Sequence, residues 1–157
     1  MRRGFSEALE KKISETLSRY PTKLAALLPV LHLIQNEAGH ISVEHERLAA
    51  ERLGIKPIKV REVATFYTMF TRKPIGRYHI QICSNLSCAL AGSDGLRDYL
   101  QKKLGIRVGE TTPDGKYTLT EVECLGACDR APSMMINFDY YGNLDREAID
   151  GILEKLA

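Results

Sequence analysis

An α+β fold is predicted for this chain: a small helical bundle followed by a compact layer of helices on a small mixed sheet. Three observations predict it. Apolar residues recur at helical spacing through the first third of the sequence. The period changes to strict alternation just after Gly76. Pairs of cysteines then fall where strands are due to end.

Leu9, Ile13 and Leu17 form one stripe, and Pro21 stops that helix. Thr22 is placed to cap a second helix, in which Leu24, Leu27, Leu28, Leu31 and Ile34 keep helical spacing up to Gly39. Pro29 lies inside this run, removes a backbone donor and is expected to kink it. Ser42 caps a third helix that ends at Gly54. A fourth, Pro57–Tyr67, starts on a proline where the missing N–H costs little. These helices predict a bundle or arm over residues 1–72.

Lys73–Gly76 reads as a linker, with Pro74 and Gly76 as breakers. In the segment that follows, 73–157, Tyr78, Ile80 and Ile82 alternate with His79, Gln81 and Cys83 as in a strand. Ser93–Leu104 is a helix with Leu96, Tyr99, Leu100 and Leu104 on its buried face. Pro113-Asp114-Gly115 is a turn, and Tyr117–Val122 a second strand. Met134–Phe138 is a third and Tyr140–Asn143 a fourth. Asp145 caps a last helix that buries Ile149, Ile152, Leu153 and Leu156.

With 44% hydrophobic and 27% charged residues, the composition is that of a globular protein. The net charge of +2 is too small to mark a polyanion binder by bulk charge. The halves differ. Residues 1–76 hold 13 basic and 8 acidic side chains (+5), and residues 77–157 hold 9 and 12 (−3). The longest apolar stretch, Leu24–Ile34, is interrupted by Pro29 and His32 and is too short to span a membrane. Met1–Lys12 lacks the apolar run of a secretory signal. A cytoplasmic chain is expected, and in a reducing compartment its thiols stay free for metals.

The four cysteines carry the chemistry. Cys83 and Cys88 enclose four residues, and Cys124 and Cys128 enclose three. Both pairs follow strand ends, so their loops can meet at one edge of the sheet. Gly126 allows close backbone approach within the second loop. Four thiolates suit a [2Fe–2S] cluster or a structural zinc ion; two disulfides or unlinked thiols are the remaining reading. Zinc knuckles usually enclose two residues, and neither pair here does.

The cysteine pattern and its surroundings resemble the thioredoxin-like [2Fe–2S] ferredoxin family. The likeness rests on the Cys83–Cys88 spacing and on Glu123-Cys124-Leu125-Gly126-Ala127-Cys128 with Ala131-Pro132 after it. It extends to Leu27-Leu28-Pro29-Val30-Leu31 with Gln35, Gly39-His40-Ile41-Ser42, Val63-Ala64-Thr65-Phe66-Tyr67, Pro74-Ile75-Gly76 and Asp139-Tyr140-Tyr141. The resemblance implies a helical bundle followed by a thioredoxin-like α/β domain, with one [2Fe–2S] cluster on Cys83, Cys88, Cys124 and Cys128. It implies an electron-transfer subunit of an NADH–quinone oxidoreductase, in which a partner flavoprotein holds FMN and NADH and the cluster exchanges single electrons with that flavin. Such a subunit would lie in a larger dehydrogenase assembly, peripheral to the cytoplasmic side of the inner membrane, without inserting into the bilayer. Related modules serve NAD-reducing hydrogenases and formate dehydrogenases. No catalytic residue is expected on this chain: Gly92, Gly95 and Gly105 form no dinucleotide fingerprint, so hydride transfer falls to the partner.

A rival reading comes from Leu48–Val60. Ala50, Gly54 and Val60 have helix-turn-helix spacing, which allows a zinc-stabilised or redox-sensing DNA-binding protein. Lys56, Lys59 and Arg61 are its basic side chains, but it has no Asn or Gln to read bases, and nucleic acid is not expected as a partner. Phe66, Tyr67, Met69 and Phe70 read as core packing, with a partner-facing patch as the alternative. His32, His40, His45 and His79 lack metal-ligand spacing; only His79 shares a strand face with Cys83. Met134 and Met135 are expected to fill core. Pro132 stands where thioredoxin-like folds carry a cis proline, but an ordinary trans proline is the expectation here.

Overall fold

The structure is a computed structural model, and it describes residues 4–156. The chain divides into two compact units, the first ending at Pro74 and the second starting at Ile75.

The first unit holds α1 (Glu7–Leu17), α2 (Leu27–Ala38), α3 (Val43–Leu53) and α4 (Pro57–Phe66). Ser6 caps α1, its hydroxyl accepting from Leu9 N at 3.1 Å. Ser42 caps α3 through a reciprocal box in which His45 N donates to Ser42 Oγ and Ser42 N to His45 Nδ1, each at 3.2 Å. That arrangement gives His45 a capping role. The core is built from the apolar stripes, with Leu9, Ile13, Val30, Leu31, Ile34, Ile41, Leu53 and Val60 buried.

Pro29 does not interrupt a helix. A 3-10 turn, Leu24–Ala26, precedes α2, so the proline occupies the third position of the helix, where N–H groups have no intrahelical partner. Glu46 on α3 is buried. Its carboxylate accepts from Arg61 Nε of α4 at 2.8 Å and from Arg72 Nε at 3.2 Å.

The second unit holds β1 (Tyr78–Cys83), α5 (Leu86–Leu90), α6 (Ser93–Leu104), β2 (Tyr117–Val122), β3 (Met134–Ile136), β4 (Asp139–Tyr141) and α7 (Arg146–Lys155). The strands form one mixed sheet in the order β2-β1-β3-β4. β1 and β2 are parallel, with Tyr78 opposite Tyr117 and Cys83 opposite Val122. The α6 crossover makes that parallel pairing possible. β3 is antiparallel to both β1 and β4. Ile80, Ile82, Leu100, Leu119, Met134, Ile136 and Ile149 form the core. Asp150 of α7 accepts from Tyr99 Oη at 2.5 Å and Lys103 Nζ at 2.7 Å, tying α7 to α6.

The hairpin between β3 and β4 is tighter than predicted. The third strand ends at Ile136, two residues before Phe138, because Asn137 takes a left-handed backbone (φ 55) and starts the turn. Its side-chain oxygen accepts from His79 N at 2.9 Å, and its own N–H donates to His79 O at 3.0 Å. Gly76 is more than a breaker. A Cβ there would lie 2.8 Å from the Tyr117 carbonyl carbon, so glycine lets the chain press against the start of β2. No described helix is long and apolar enough to cross a membrane.

Candidate metal centre

The parallel register delivers both cysteine loops to one end of the sheet. Cys83 is the last residue of β1, and its partner Val122 is the last of β2. Ser84 N donates to Val122 O at 3.0 Å, which continues the pairing one step into the loops. The loop after β2 then wraps the Cys83 sulfur. Glu123 O lies 3.8 Å from Cys83 Sγ, and the Leu125 backbone N–H donates to the same sulfur. On the other side of β1, Cys83 N donates to Ser133 O at 3.1 Å, bringing in the segment ahead of β3.

Cys88 stands on α5, a single helical turn, where the sequence pattern predicted a loop. The turn forms because the Asn85 side chain accepts from Leu86 N at 2.8 Å and its carbonyl accepts from Ala89 N at 2.9 Å. Cys88 is 2% exposed and points inward. Its Sγ lies 3.4 Å from Ser133 Oγ, a residue itself 1% exposed. Cys124 and Cys128 are exposed. Gly126 (φ 72) turns the second loop so that its N–H donates to Cys124 Sγ at 3.3 Å. Cys128 begins a short 3-10 turn, Cys128–Arg130, that leads to the Ala131–Pro132 bond, which is cis and not the ordinary trans form expected.

The structure thus brings Cys83 and Cys88 into side-chain contact and sets the Cys124–Cys128 loop beside them. Among the described residues, no three His, Cys, Asp or Glu side chains converge as a site for one metal ion. Two sulfurs per loop match a binuclear cluster, which takes two thiolates on each iron. Burial pushes the Cys83 thiol up, against N–H donors from Asn85 and Leu125. Burial also opposes ionisation of Cys88, but hydrogen bonds led by the Ser133 hydroxyl outweigh it, and this thiol lies below the ordinary cysteine range. Soft sulfurs ringed by N–H and O–H donors are a fitting set for an anionic iron–sulfur group.

Ser133 was not readable from sequence spacing. Only the β1–β3 pairing carries it to Cys88. His79 lies away from the sulfurs; its Nε2 is 2.8 Å from Thr120 Oγ1, and burial lowers its pKa. The aromatic cluster is split. Phe70 is buried and packs against the His32 ring with centroids 4.9 Å apart, whereas Phe66 is 77% exposed. In the α3–α4 unit, Ala50 and Val60 are core, Arg61 is held by Glu46, and Lys59 pairs with Glu62 at 2.8 Å. Two of the three basic side chains expected to face DNA are therefore engaged with carboxylates.

Residues 13–157 match the family described as thioredoxin-like [2Fe–2S] ferredoxin. The chain is 47% identical over 146 residues to an E-type subunit of the NADH-quinone oxidoreductase of Rhizobium meliloti, covering 93% of this chain and 87% of that protein. It is 45% identical over 145 residues to the E-type subunit of the NADH-quinone oxidoreductase of Rickettsia conorii, covering 90% and 87%. Among solved structures, an NAD+-reducing [NiFe]-hydrogenase in the H2-reduced state superposes with a TM-score of 0.72 and 26% identity. That likeness covers 83% of this chain and 22% of the hydrogenase chain.

Proposed function

Since this chain belongs to the thioredoxin-like [2Fe–2S] ferredoxin family, we propose that it is the electron-transfer subunit of an NADH–quinone oxidoreductase, carrying one [2Fe–2S] cluster held by Cys83, Cys88, Cys124 and Cys128. The observation that carries this reading is the parallel β1–β2 register, which places both cysteine loops at the same sheet end. The cluster supplies one-electron exchange when bound. The chain does the rest. Cys83 and Cys88 are held out of water, the Ser133 hydroxyl and the N–H groups of Asn85, Leu125 and Gly126 stabilise sulfur charge, and the second loop leaves its two sulfurs at the surface.

NADH oxidation belongs to a partner flavoprotein that binds FMN, and this chain takes and returns single electrons with that flavin. The assembly is peripheral to the cytoplasmic side of the inner membrane. The bundle of residues 1–72 serves as a docking arm, and residues 73–157 house the redox centre. The test is anaerobic purification of the chain. Iron and acid-labile sulfide in equal amounts, two of each per chain, with a spin signal only after one-electron reduction, is the expected result. A colourless protein with stoichiometric zinc overturns the proposal.

A further inference from the structure

A buried hydroxyl in the second unit has no hydrogen-bond partner among the described residues. It belongs to Ser93, the first residue of α6, which is 2% exposed. Interior hydroxyls are ordinarily paired, because one without a partner gives up its hydration and gains nothing in return. Other buried hydroxyls nearby obey the rule: Ser133 Oγ lies 3.4 Å from Cys88 Sγ, and Thr118 Oγ1 accepts from Gly76 N at 2.6 Å.

The topology places Ser93 at the sulfur edge. β1 and β2 are parallel, so the crossover helix α6 runs back against them and starts level with the ends of both strands. Arg97, one turn into α6, donates from Nη1 to Glu121 Oε2 at 3.1 Å, and Glu121 is the residue before the last of β2. The turn that carries Cys88 runs straight into the helix: Ala91 N donates to Ser87 O at 3.1 Å, and Gly92 N to Ala89 O at 3.0 Å. Direction follows from helix geometry. Cα–Cβ bonds tilt toward the N-terminus of an α-helix, so the Ser93 side chain projects past the start of α6, toward the strand ends, and its burial turns it from solvent to the interior. Cys83 and Cys88 are buried at that same end. Neither sulfur takes the Ser93 proton. The first N–H groups of α6 add positive potential there, since they have no intrahelical acceptor and Gly92 at the cap supplies no side chain.

We propose that the Ser93 hydroxyl donates to the inorganic sulfur of the cluster, as a positioning group that helps set its reduction potential. The inference rests on the function proposed above. A hydrogen bond to cluster sulfur strengthens as the cluster gains an electron, so it favours the reduced state. Ser133 meets a cysteine sulfur from the segment ahead of β3, whereas Ser93 meets the core of the cluster from α6.

The test uses the full, cluster-loaded chain. Ser93→Ala removes a single oxygen and should lower the preference for the reduced state about fivefold, a midpoint about 40 mV more negative in a redox titration followed by the spin signal. Proton double-resonance spectra of the reduced chain, compared in H2O and D2O, should lose one exchangeable coupling. Ser93→Thr keeps the hydroxyl and should hold both readouts at their wild-type values. A loaded alanine variant with the wild-type midpoint and couplings overturns the proposal. A threonine variant shifted as far as the alanine one also overturns it, because packing and not the hydroxyl is then responsible. A crystal structure of the loaded wild-type chain decides the matter without a variant: Ser93 Oγ within hydrogen-bond reach of inorganic sulfur supports the proposal, and an Oγ bonded only to a buried water overturns it. A wild-type chain that takes up no iron and sulfide overturns the function beneath the inference, a result none of the other outcomes produces.

Discussion

The Cys88 sulfur and the Ser133 hydroxyl oxygen lie 3.4 Å apart, and both residues are buried. A hydroxyl directed at a ligating sulfur favours the more negative, reduced state of a cluster. Ser133→Ala is therefore expected to move the one-electron midpoint to more negative values. A loss of about fivefold to tenfold in preference for the reduced state corresponds to about 40–60 mV. Redox titration followed by the spin signal measures it. An unmoved midpoint at full cluster occupancy would show that the hydroxyl does not face the sulfur in the loaded chain.

Loss of Cys124 separates ligation from folding. Its side chain is exposed, so Cys124→Ala removes a proposed ligand without opening a core cavity. Iron and sulfide content should fall sharply while the far-ultraviolet dichroism of the chain is kept. Retention of two irons per chain would remove Cys124 from the ligand set.

His79 makes stability depend on pH. Burial holds its pKa below the ordinary imidazole range. Between the folded and the unfolded values, the unfolded chain binds the extra proton, so stability rises with pH through that window. The contribution is complete above the unfolded value of about 6.5 and declines as the pH drops toward the folded one. Denaturant unfolding at steps from neutral to mildly acidic pH should show this slope, and His79→Gln should flatten it. An equal slope in the variant assigns it to another group.

Glu46 gives an asymmetric prediction. Its carboxylate is buried, while the Arg61 and Arg72 side chains are 42% and 39% exposed. Removing both arginines leaves an unpaired charge in the interior, a loss of about 3–5 kcal/mol. Glu46→Gln keeps a hydrogen-bonding group and leaves two arginines that can hydrate, so it should cost about 1.5–3 kcal/mol. Denaturant midpoints for Glu46→Gln and for Arg61→Ala/Arg72→Ala decide it, and a reversed order refutes the argument.

Gly142 supports the second cysteine loop from below. A Cβ at this position would lie 2.5 Å from Arg130 Cβ and 2.7 Å from Arg130 O, at the end of the turn that begins with Cys128. Gly142→Ala should destabilise the second unit by about 1–3 kcal/mol, the range for overpacking, and should speed cluster release to an iron chelator. Wild-type release kinetics would show that the turn can yield.

Much of the fold was legible because it follows from spacing. The stripes at Leu9–Ile13 and Val30–Ile34, the alternation through Ile80 and Ile82, and the caps at Ser42 and Asp145 all express local periodicity or local hydrogen bonding. What escaped depends on contacts distant in sequence. The kink expected at Pro29 failed because the helix starts later than its apolar run. The third strand is shorter than its alternation predicts because a single asparagine, fixed by His79 across the sheet, makes the turn. The cysteine pairs were visible from their spacing, and the family of electron carriers they resemble was legible with them. Ser133 and Glu46 were not, since their partners are set by strand pairing and by helix packing.

The two parallel strands at the sulfur edge are separated in the sequence by two helices, α5 and α6. A ribosome therefore releases Cys83 and Cys88 well before Cys124 and Cys128, and for that interval the nascent chain holds only half of the proposed coordination set. A four-thiolate site is therefore complete only once β2 and the loop that follows it have been made.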